Sequence, residues 1–321
     1  MAKIMFIGDI HFSNNKPISR VGDSEEYKKL VLNKLLYCLN YSIENKVRIC
    51  IILGDVFNTS VGTDPQYVTE CYKVFKKFKA ANIVLYSIIG NHDMYYQQDN
   101  EFNRTTLYQC FVTELLRHLD EINIGSVTIK GIDYNKDYIP ISNLKLTNTY
   151  NICVAHSFYE NERFGGTGNS NLTDIKCLDL GYNAYVLGHD HSLYDILDKG
   201  KYKVVRPGSL TRSTSKTCNI YRKVVVAIFD TDTLFWDYIE VPTIPGTDAF
   251  RDDVILSKQE DLNLDDILLN LEYSSNNNNI YDFIDSDIDR AKSIYKDDYN
   301  SIIDIITQYL ESKGVYKSNV N

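Results

Sequence analysis

Five short segments of the sequence each join an apolar run to a turn that carries acidic, amide or imidazole side chains. The segments are Gly8-Asp9-Ile10-His11, Gly54-Asp55, Gly90-Asn91-His92-Asp93, Ala155-His156-Ser157 and Gly188-His189-Asp190-His191. They contain five of the six histidines of the chain. Mixed oxygen and imidazole donors suit divalent ions such as manganese, iron and zinc. The sequence therefore predicts a metal centre assembled from five separate loops.

The number of donors indicates two ions. Asp-x-His and His-x-His place two side chains on the same side of an extended segment, because side chains alternate along it. A carboxylate such as Asp55 has two oxygens and can bridge two ions. Seven ligands are too many for one tetrahedral ion, and the absence of thiolates disfavours structural zinc. The predicted ligands are Asp9, His11, Asp55, Asn91, His156, His189 and His191.

Two ions about 3.5–4 Å apart suit in-line displacement at phosphorus, because they neutralise phosphate oxygens and activate water. His92 directly follows the predicted ligand Asn91, so its ring is expected beside the ions. There it can hydrogen-bond the substrate phosphate or protonate the leaving oxygen. Asp93 is predicted to orient His92. We take His92 and Asp93 as the candidate catalytic residues.

Each motif alone has a structural explanation. Gly-Asp is a common strand terminator, and a single His-x-His is a weak signal. The set gains its weight because four kinds of signal occur in order at the ends of predicted strands. The sixth histidine, His118, carries no motif in a run with helical spacing, and we interpret it as a surface or interface residue.

The motifs follow an alternation of strand and helix patterns. Helices are predicted over Ser24–Asn45 and Pro65–Ala81. Strands are predicted at Lys3–Gly8, Arg48–Leu53, Ile83–Ile89, Val127–Ile132, Asn151–Ala155, Ala184–Leu187, Lys203–Val205, Lys223–Phe229 and Leu234–Val241, the last two as a hairpin. Such repetition implies βαβ units, whose ligands bind at the carboxyl ends of the strands. Because the second half is richer in strand, a layered α/β sandwich is expected.

A turn-rich stretch, Pro242 to Gly246, predicts a boundary between a domain over residues 1–245 and a C-terminal segment over 246–321. Asp253 to Asn321 contain 14 acidic and 6 basic residues, so this segment holds most of the net charge of −9. The rest of the chain is nearly neutral. The formal charge, which taken alone argues against nucleic acid, is therefore a poor guide to the partner. Apolar residues at helical spacing predict amphipathic helices in the tail that dock on another surface.

Composition sets the broad class. With 44% hydrophobic and 24% charged residues, the chain is typical of a globular protein. No apolar run approaches the roughly 18 residues of a membrane span, and the N-terminal apolar run is too short for a signal peptide. We therefore expect a cytoplasmic protein without membrane contact. The 7 cysteines are widely spaced without C-x-x-C, which favours buried reduced thiols.

Together the motifs resemble the calcineurin-like metallophosphoesterase superfamily over residues 9–191. Gly-Asn-His-Asp stands where the protein Ser/Thr phosphatases have Gly-Asn-His-Glu, and Val56-Phe57-Asn58 follows Gly54-Asp55 where they have Asp-Arg-Gly. Arg206-Pro207-Gly208-Ser209, followed by Arg212, resembles the turn after the last metal motif of the SbcD family of DNA-repair nucleases, called Mre-eleven in eukaryotes and archaea.

The resemblance implies a four-layer α-β-β-α sandwich with a helical C-terminal tail, and His92 as the catalytic histidine. One ion would be held by Asp9, His11, Asp55 and His191, and the other by Asp55, Asn91, His156 and His189. It also implies DNA exonuclease and endonuclease activity with Mn²⁺, the alternatives being Mg²⁺, Fe²⁺ or Zn²⁺. The implied partners are DNA, a second copy of the chain, and an SbcC-type coiled-coil ATPase bound by the C-terminal helices. For phage-encoded members the location is the host cytoplasm.

Family members carry a DNA-capping domain before the ATPase-binding helices, and here that region must be small or absent. A metallophosphoesterase acting on a cyclic nucleotide or another small phosphodiester is the alternative, and a protein-binding scaffold is the third hypothesis. A scaffold would be expected to have lost ligands, and this chain retains all seven. Basic residues in loops near the motifs are candidates for phosphate contact or solvated surface charges: Lys16, Arg20, Arg104, Arg163 and Arg212.

Overall fold

Two six-stranded β-sheets form the framework of the protein. The structure, a computed structural model, describes residues 2–95, 99–137, 140–143, 148–159, 174–175, 180–215 and 217–255. Nearly all of them belong to a compact unit that spans Met1–Val254. The predicted tail helices and most of the predicted C-terminal segment lie outside the described residues. The predicted boundary at residue 246 therefore stays a prediction.

The first sheet has the strand order β14-β13-β1-β2-β3-β4. Its strands are β1 (Lys3–Ile7), β2 (Val47–Ile52), β3 (Val84–Ser87), β4 (Arg117–His118), β13 (Val225–Asp230) and β14 (Phe235–Glu240). Strands β1 to β4 run parallel, with Phe6 opposite Ile51 and Ile51 opposite Tyr86. The predicted hairpin is confirmed, because β13 pairs antiparallel with both β1 and β14.

Two long helices, α1 (Ser24–Glu44) and α2 (Pro65–Ala80), connect the parallel strands β1, β2 and β3 in two βαβ units. Asp23 caps α1 by accepting the N–H of Glu26, whose carboxylate accepts the N–H of Asp23 in return. Asp64 caps α2, and Pro65 occupies its first turn. Three shorter helices are α3 (Thr106–Val112), α4 (Thr217–Tyr221) and α5 (Gly246–Ala249), and 3-10 helices cover Asp99–Arg104 and Ile141–Asn143.

The second sheet has the order β11-β12-β10-β7-β6-β5. Its strands are β5 (Glu121–Ile124), β6 (Val127–Ile132), β7 (Tyr150–His156), β10 (Ala184–Gly188), β11 (Leu197–Asp198) and β12 (Lys203–Val205). The central pairs β6–β7, β7–β10 and β10–β12 are parallel. A separate parallel pair joins β8 (Phe158–Tyr159) to β9 (Asp174–Ile175).

Alternation along β1 divides the core into layers. Met5 and Ile7 belong to the apolar cluster that includes the buried faces of α1 and α2. Ile4 and Phe6 belong to the cluster shared with the second sheet. A third cluster lies on the far side of that sheet, where Ile141 and other partly buried residues cover it. The layers therefore run from the helices through the two sheets to the residues that cover the third cluster.

The predicted mixed α/β sandwich is confirmed. All nine predicted strands and both predicted helices are present. Their ends differ from the prediction by at most two residues, and those of Val127–Ile132 and Lys203–Val205 coincide with it. The helical prediction around His118 is wrong: α3 ends at Val112, Glu114 has φ 53°, and Arg117–His118 pair with β3. Five cysteines of the described part are buried and free. Among the described residues, no helix combines the length and the apolar composition that a membrane crossing requires.

Candidate metal centre

Loops from both sheets converge at the carboxyl ends of their central strands. Asp9 follows β1, Asp55 follows β2 and Asn91 follows β3 in the first sheet. In the second sheet His156 is the last residue of β7, and His189 directly follows β10. The residues at and just after the ends of these parallel strands therefore lie in one crevice, as expected at the carboxyl ends of an α/β fold.

The first group of donors contains Asp9, His11, Asp55 and His191, whose ligand atoms all lie within 4.8 Å of one another. His191 Nε2 lies 3.4 Å from Asp9 Oδ2 and 2.9 Å from His11 Nε2. His11 Nε2 lies 3.5 Å from Asp55 Oδ2. Except for His191, these side chains are about 2% exposed or less. Four donor atoms thus face one small volume.

The second group contains Asp55, His156 and His189. His156 Nε2 lies 3.3 Å from Asp55 Oδ2, 3.2 Å from His189 Nδ1 and 3.0 Å from Asn91 Oδ1. Asp55 belongs to both groups, so its carboxylate stands between them. The structure therefore brings all seven predicted ligands together, in the division that the resemblance implies.

Backbone conformation aims these side chains. His11, Asp55 and His189 have φ angles of 52°, 46° and 81°, in the left-handed region that L-residues seldom adopt. Such residues cost roughly 1–3 kcal/mol each and cluster at functional sites. Here the backbone N–H of His11 donates to the carbonyl oxygen of Asp55 at 2.9 Å, which helps to hold both residues in these conformations.

Two glycines allow the loops to approach one another. A β-carbon at Gly90 would overlap Asp55 Oδ1, and a β-carbon at Gly188 would overlap the carbonyl oxygen of Leu53. Any side chain there would force apart the loops that carry Asp55, Asn91 and His189. Glycine stands at these two motif positions because there is no room for a β-carbon, and it also favours the turns.

The protonation states favour ligation. Burial raises the pKa of Asp9 and Asp55, but the neighbouring His156 more than reverses this, and both pKa values fall below the usual range. Burial lowers the pKa of His11 to about 4 and that of His189 to about 3. Their neutral imidazoles and the two carboxylates are the forms that bind divalent ions. Burial lowers the pKa of His156, yet the adjacent Asp55 raises it to about 10 in the metal-free site.

His92 lies beside the donors and belongs to neither group. Its exposed ring is 4.9 Å from the ring of His11, centroid to centroid, and its backbone N–H donates to Asp55 Oδ1 at 2.9 Å. Its Nδ1 lies 2.8 Å from the backbone carbonyl oxygen of Asn58. With a proton on Nδ1, Nε2 is left for the substrate.

The expectation that Asp93 orients His92 is wrong. The carboxylate of Asp93 is buried and accepts the backbone N–H groups of Val56, Phe57 and Gly90 at 3.0–3.3 Å. Burial, followed by the charge of Asp55, raises the pKa of Asp93 to about 8. Asp93 thus joins the loop after β2 to the loop after β3, and the carbonyl of Asn58 performs the orienting contact.

A cavity of about 210 Å³ opens over the donors. Its lining comprises Asp55, Asn91, His92, Phe158, His189, Asp190, His191, Ser192, Thr214 and Asn219. The Phe158 ring is 4.4 Å from that of His189, and the Tyr134 ring is 5.6 Å from it. Neither aromatic residue was predicted as part of the site. The spacing of His156 and Phe158, which places them on one side of an extended segment, was a usable signal for Phe158.

The basic residues considered as candidate phosphate contacts are not all on the surface. Arg20 and Arg212 are each only 5% exposed and donate to backbone carbonyl oxygens, so their proposed surface role is wrong. Lys16 donates to the carbonyl of Arg20, and Arg104 pairs with Glu101 at 2.9 Å. Arg163 lies outside the described residues.

The donor set fits two divalent cations. Two buried carboxylates and four imidazoles converge, and the ring nitrogens His11 Nε2 and His191 Nε2 face each other at 2.9 Å. A cation between such groups would replace repulsion among lone pairs by ligation. Asp55 belongs to both groups, so the residues present would hold two ions close together, as a dinuclear centre requires.

Fold and site together define a two-metal phosphoester hydrolase. Residues 2–193 match the family model described as calcineurin-like phosphoesterase, and the chain belongs to this family. No curated protein sequence matches the chain significantly.

Several solved structures align with the chain at low sequence identity. A dimetal phosphatase from Danio rerio aligns with a TM-score of 0.46 and 9% identity, covering 75% of this chain and 99% of its own. A 5'-nucleotidase precursor from Thermus thermophilus aligns at 0.43 and 12%, covering 81% and 59%. Calcineurin-like phosphoesterase YfkN from Bacillus subtilis aligns at 0.37 and 11%, covering 81% and 97%.

Proposed function

We propose that the protein is a Mn²⁺-dependent DNA nuclease and the nuclease subunit of an SbcCD-type repair and recombination complex. The observation that carries this proposal is the position of the Arg206–Ser209 turn. Directly after this turn, Leu210 donates its N–H to the carbonyl of Asp9 at 2.9 Å. The sequence feature that resembles DNA-repair nucleases thus packs directly on the metal loops.

The side chains around the donors suit a nucleic-acid strand. When bound, two divalent ions neutralise phosphate oxygens and activate water for attack on phosphorus. His92 stands at the open edge, where its ring, when protonated on both nitrogens, can pass the Nε2 proton to the leaving oxygen and keep the Nδ1–H bond to Asn58. Phe158 and Tyr134 offer rings beside His189 against which bases can stack.

The near-neutral charge of the body is compatible with DNA once ions are bound. Two divalent ions add four positive charges at the crevice where a phosphodiester must lie. The acidic tail, by contrast, would repel DNA and is assigned to a protein partner. We propose that this partner is a coiled-coil ATPase of the SbcC type, and that the nuclease body pairs with a second copy of itself.

The test is degradation of linear duplex DNA by the purified protein, with Mn²⁺, Mg²⁺, Fe²⁺ and Zn²⁺ compared. We expect release of nucleotides with Mn²⁺, and loss of this release in Asp55→Ala. Asp252→Ala, which changes an exposed acid outside the site, is the matched control and should retain activity. Intact DNA under all these conditions, with and without a coiled-coil ATPase, would contradict the proposal.

The same protein should be assayed on a panel of small phosphodiesters, including cyclic nucleotides. The proposal expects low kcat/KM on these compounds relative to DNA. High kcat/KM on one nucleotide, together with intact DNA, would establish the alternative small-phosphodiester function. Both functions use the same donor groups, so the metal-ligand variants should abolish either one.

A further inference from the structure

The ring of His191 contacts different groups through its two nitrogens. Nε2 faces the donors, 3.4 Å from Asp9 Oδ2 and 2.9 Å from His11 Nε2. Nδ1 lies 3.2 Å from the hydroxyl oxygen of Ser213. In a neutral imidazole only one nitrogen keeps a lone pair for a cation, and the partner of the other nitrogen decides which.

We propose that Ser213 is a positioning residue of the metal centre. Its hydroxyl oxygen accepts the Nδ1–H of His191, which keeps the Nε2 lone pair directed at the first donor group and fixes the rotation of the ring. Partners of this kind set the tautomer of a ligating histidine and raise metal affinity. The proposal rests on the metal centre and does not depend on DNA being the substrate.

The segment that carries Ser213 is tied to the loop of His191 and to the loop that carries Asp9 and His11. We call residues Ser209–Ser213 the strap. The N–H of Ser209 donates to the carbonyl of His191 at 3.3 Å, and the N–H of Leu210 donates to the carbonyl of Asp9 at 2.9 Å. The hydroxyl of Thr211 donates to the carbonyl of Ile10 at 3.1 Å. The strap therefore fixes Ser213 relative to both loops.

Two buried basic side chains hold the strap from its other side. Arg222 Nη2 donates to the carbonyl oxygens of Ser209 and Thr211 at 2.7 and 3.0 Å, and Lys34 Nζ donates to the carbonyl of Leu210 at 2.9 Å. Arg222 and Lys34 are 8% and 2% exposed. Hydrogen bonds from a buried guanidinium are strong, so the bonds from Arg222 restrain the strap.

The buried ligand histidines His156 and His11 lack an equivalent side-chain partner. His156 Nδ1 lies 2.7 Å from the backbone carbonyl of Leu53, which no substitution can remove. His11 Nδ1 has no hydrogen-bond partner among the described residues. Ser213 thus offers a side chain through which the orientation of His191 can be altered without substituting a ligand.

The test is calorimetric titration of the metal-free full-length protein with Mn²⁺, so that no substrate enters the measurement. In Ser213→Ala we expect one of the two binding steps to weaken by about 10–100-fold, the usual effect of removing such a partner. Ser213→Thr, which keeps the hydroxyl, should restore affinity to near the wild-type value. Ser126→Ala, in the exposed turn between β5 and β6, is the control and should bind like the wild type.

The melting temperature of the metal-free variants separates positioning from folding. We expect Ser213→Ala to melt at the wild-type temperature before metal is added. Unchanged Mn²⁺ affinity in Ser213→Ala would overturn the proposal. Equal losses in the Ala and Thr variants, or a loss of affinity accompanied by a lower metal-free melting temperature, would overturn it too. Inactivity on DNA with normal metal binding would instead count against the proposed nuclease function alone.

Discussion

The ring of His92 is held by the carbonyl oxygen of Asn58 and stands outside both donor groups. This arrangement separates proton transfer from metal binding at the level of single residues. A general acid contributes about 10²–10⁴-fold to a rate, and its contribution grows as the leaving group becomes more basic.

We therefore predict that His92→Ala lowers kcat on DNA by about 10²–10⁴-fold and leaves Mn²⁺ affinity unchanged. On bis(p-nitrophenyl) phosphate, whose leaving group needs no protonation, the loss should be much smaller. Steady-state kinetics on both substrates, with calorimetry of Mn²⁺ binding, would measure this. Equal losses on the two substrates would contradict a role for His92 as the acid.

His118 forms an ion pair with Asp133 on the surface, with Nε2 3.0 Å from Oδ2. Asp133 Oδ1 also accepts the N–H of Ile89, just before the Gly-Asn-His-Asp turn. The hydrogen bond to Asp133 raises the pKa of His118 above its usual 6.5, although burial opposes the shift. His118 thus supports the loop after β3, while its ring is about 41% exposed.

A raised folded-state pKa means that this stabilisation is complete below the unfolded pKa of about 6.5 and is lost as pH rises through the folded value. His118→Gln should therefore be less stable than the wild type at pH 5.5 and equal to it at pH 9. Urea unfolding at the two pH values would show the difference. A stability gap that stays constant with pH, or widens at pH 9, would contradict the pairing.

Among the described helices, α1 has a complete capping box at its N-terminus. The Asp23 carboxylate accepts from Glu26, and the Glu26 carboxylate accepts from Asp23. Asp23→Ala should cost about 1 kcal/mol and lower the melting temperature by about 2–4 °C. Asp23→Ser keeps a capping oxygen and should lie near the wild type. Calorimetric melting curves would decide, and an unchanged melting temperature in Asp23→Ala would show that the cap contributes nothing.

The long elements were predictable because their patterns are strong. Strands β1 and β2 are almost wholly apolar, and α1 and α2 combine helical periodicity with capping residues. Strand β4 has only two residues, and its place depends on pairing Tyr86 with Arg117 across the sheet. Such an edge strand has too little local pattern to separate it from the preceding helix. Strand β5, in which Glu121 is exposed, was not predicted either, because its local sequence pattern is also weak.

The donors of the site were predictable because each follows a predicted strand. The groups that orient them were not. The carbonyl of Asn58 has no side-chain signature, and the contact between Ser213 and His191 depends on the path of the strap. The wrong role given to Asp93 shows the limit of sequence proximity: its backbone neighbour is His92, yet its carboxylate points to the loop after β2.

At the scale of the whole molecule, the proposed function puts catalysis in the body and partner docking in the acidic tail. We predict that deletion of residues 290–321 abolishes binding to a coiled-coil ATPase and leaves nuclease activity on short substrates unchanged. Co-purification from the native source and an oligonucleotide assay would measure the two effects. If the truncated protein instead unfolds, the tail belongs to the folded body and not to a docking element.

The metal centre draws its ligands from two sheets that otherwise meet through an apolar core. Asp9 and Asp55 lie in loops that follow strands of the first sheet, and His156 and His191 lie at the end of β7 and after β10 in the second. A bound cation is therefore a cross-link between layers, and it stabilises the folded state by about 2.7 kcal/mol at a concentration 100 times its Kd. A chelator should lower the melting temperature and speed hydrogen exchange in β1 and β10 together. The protein would then use one pair of ions both to cut a phosphodiester and to keep its two halves unfolding as a single unit.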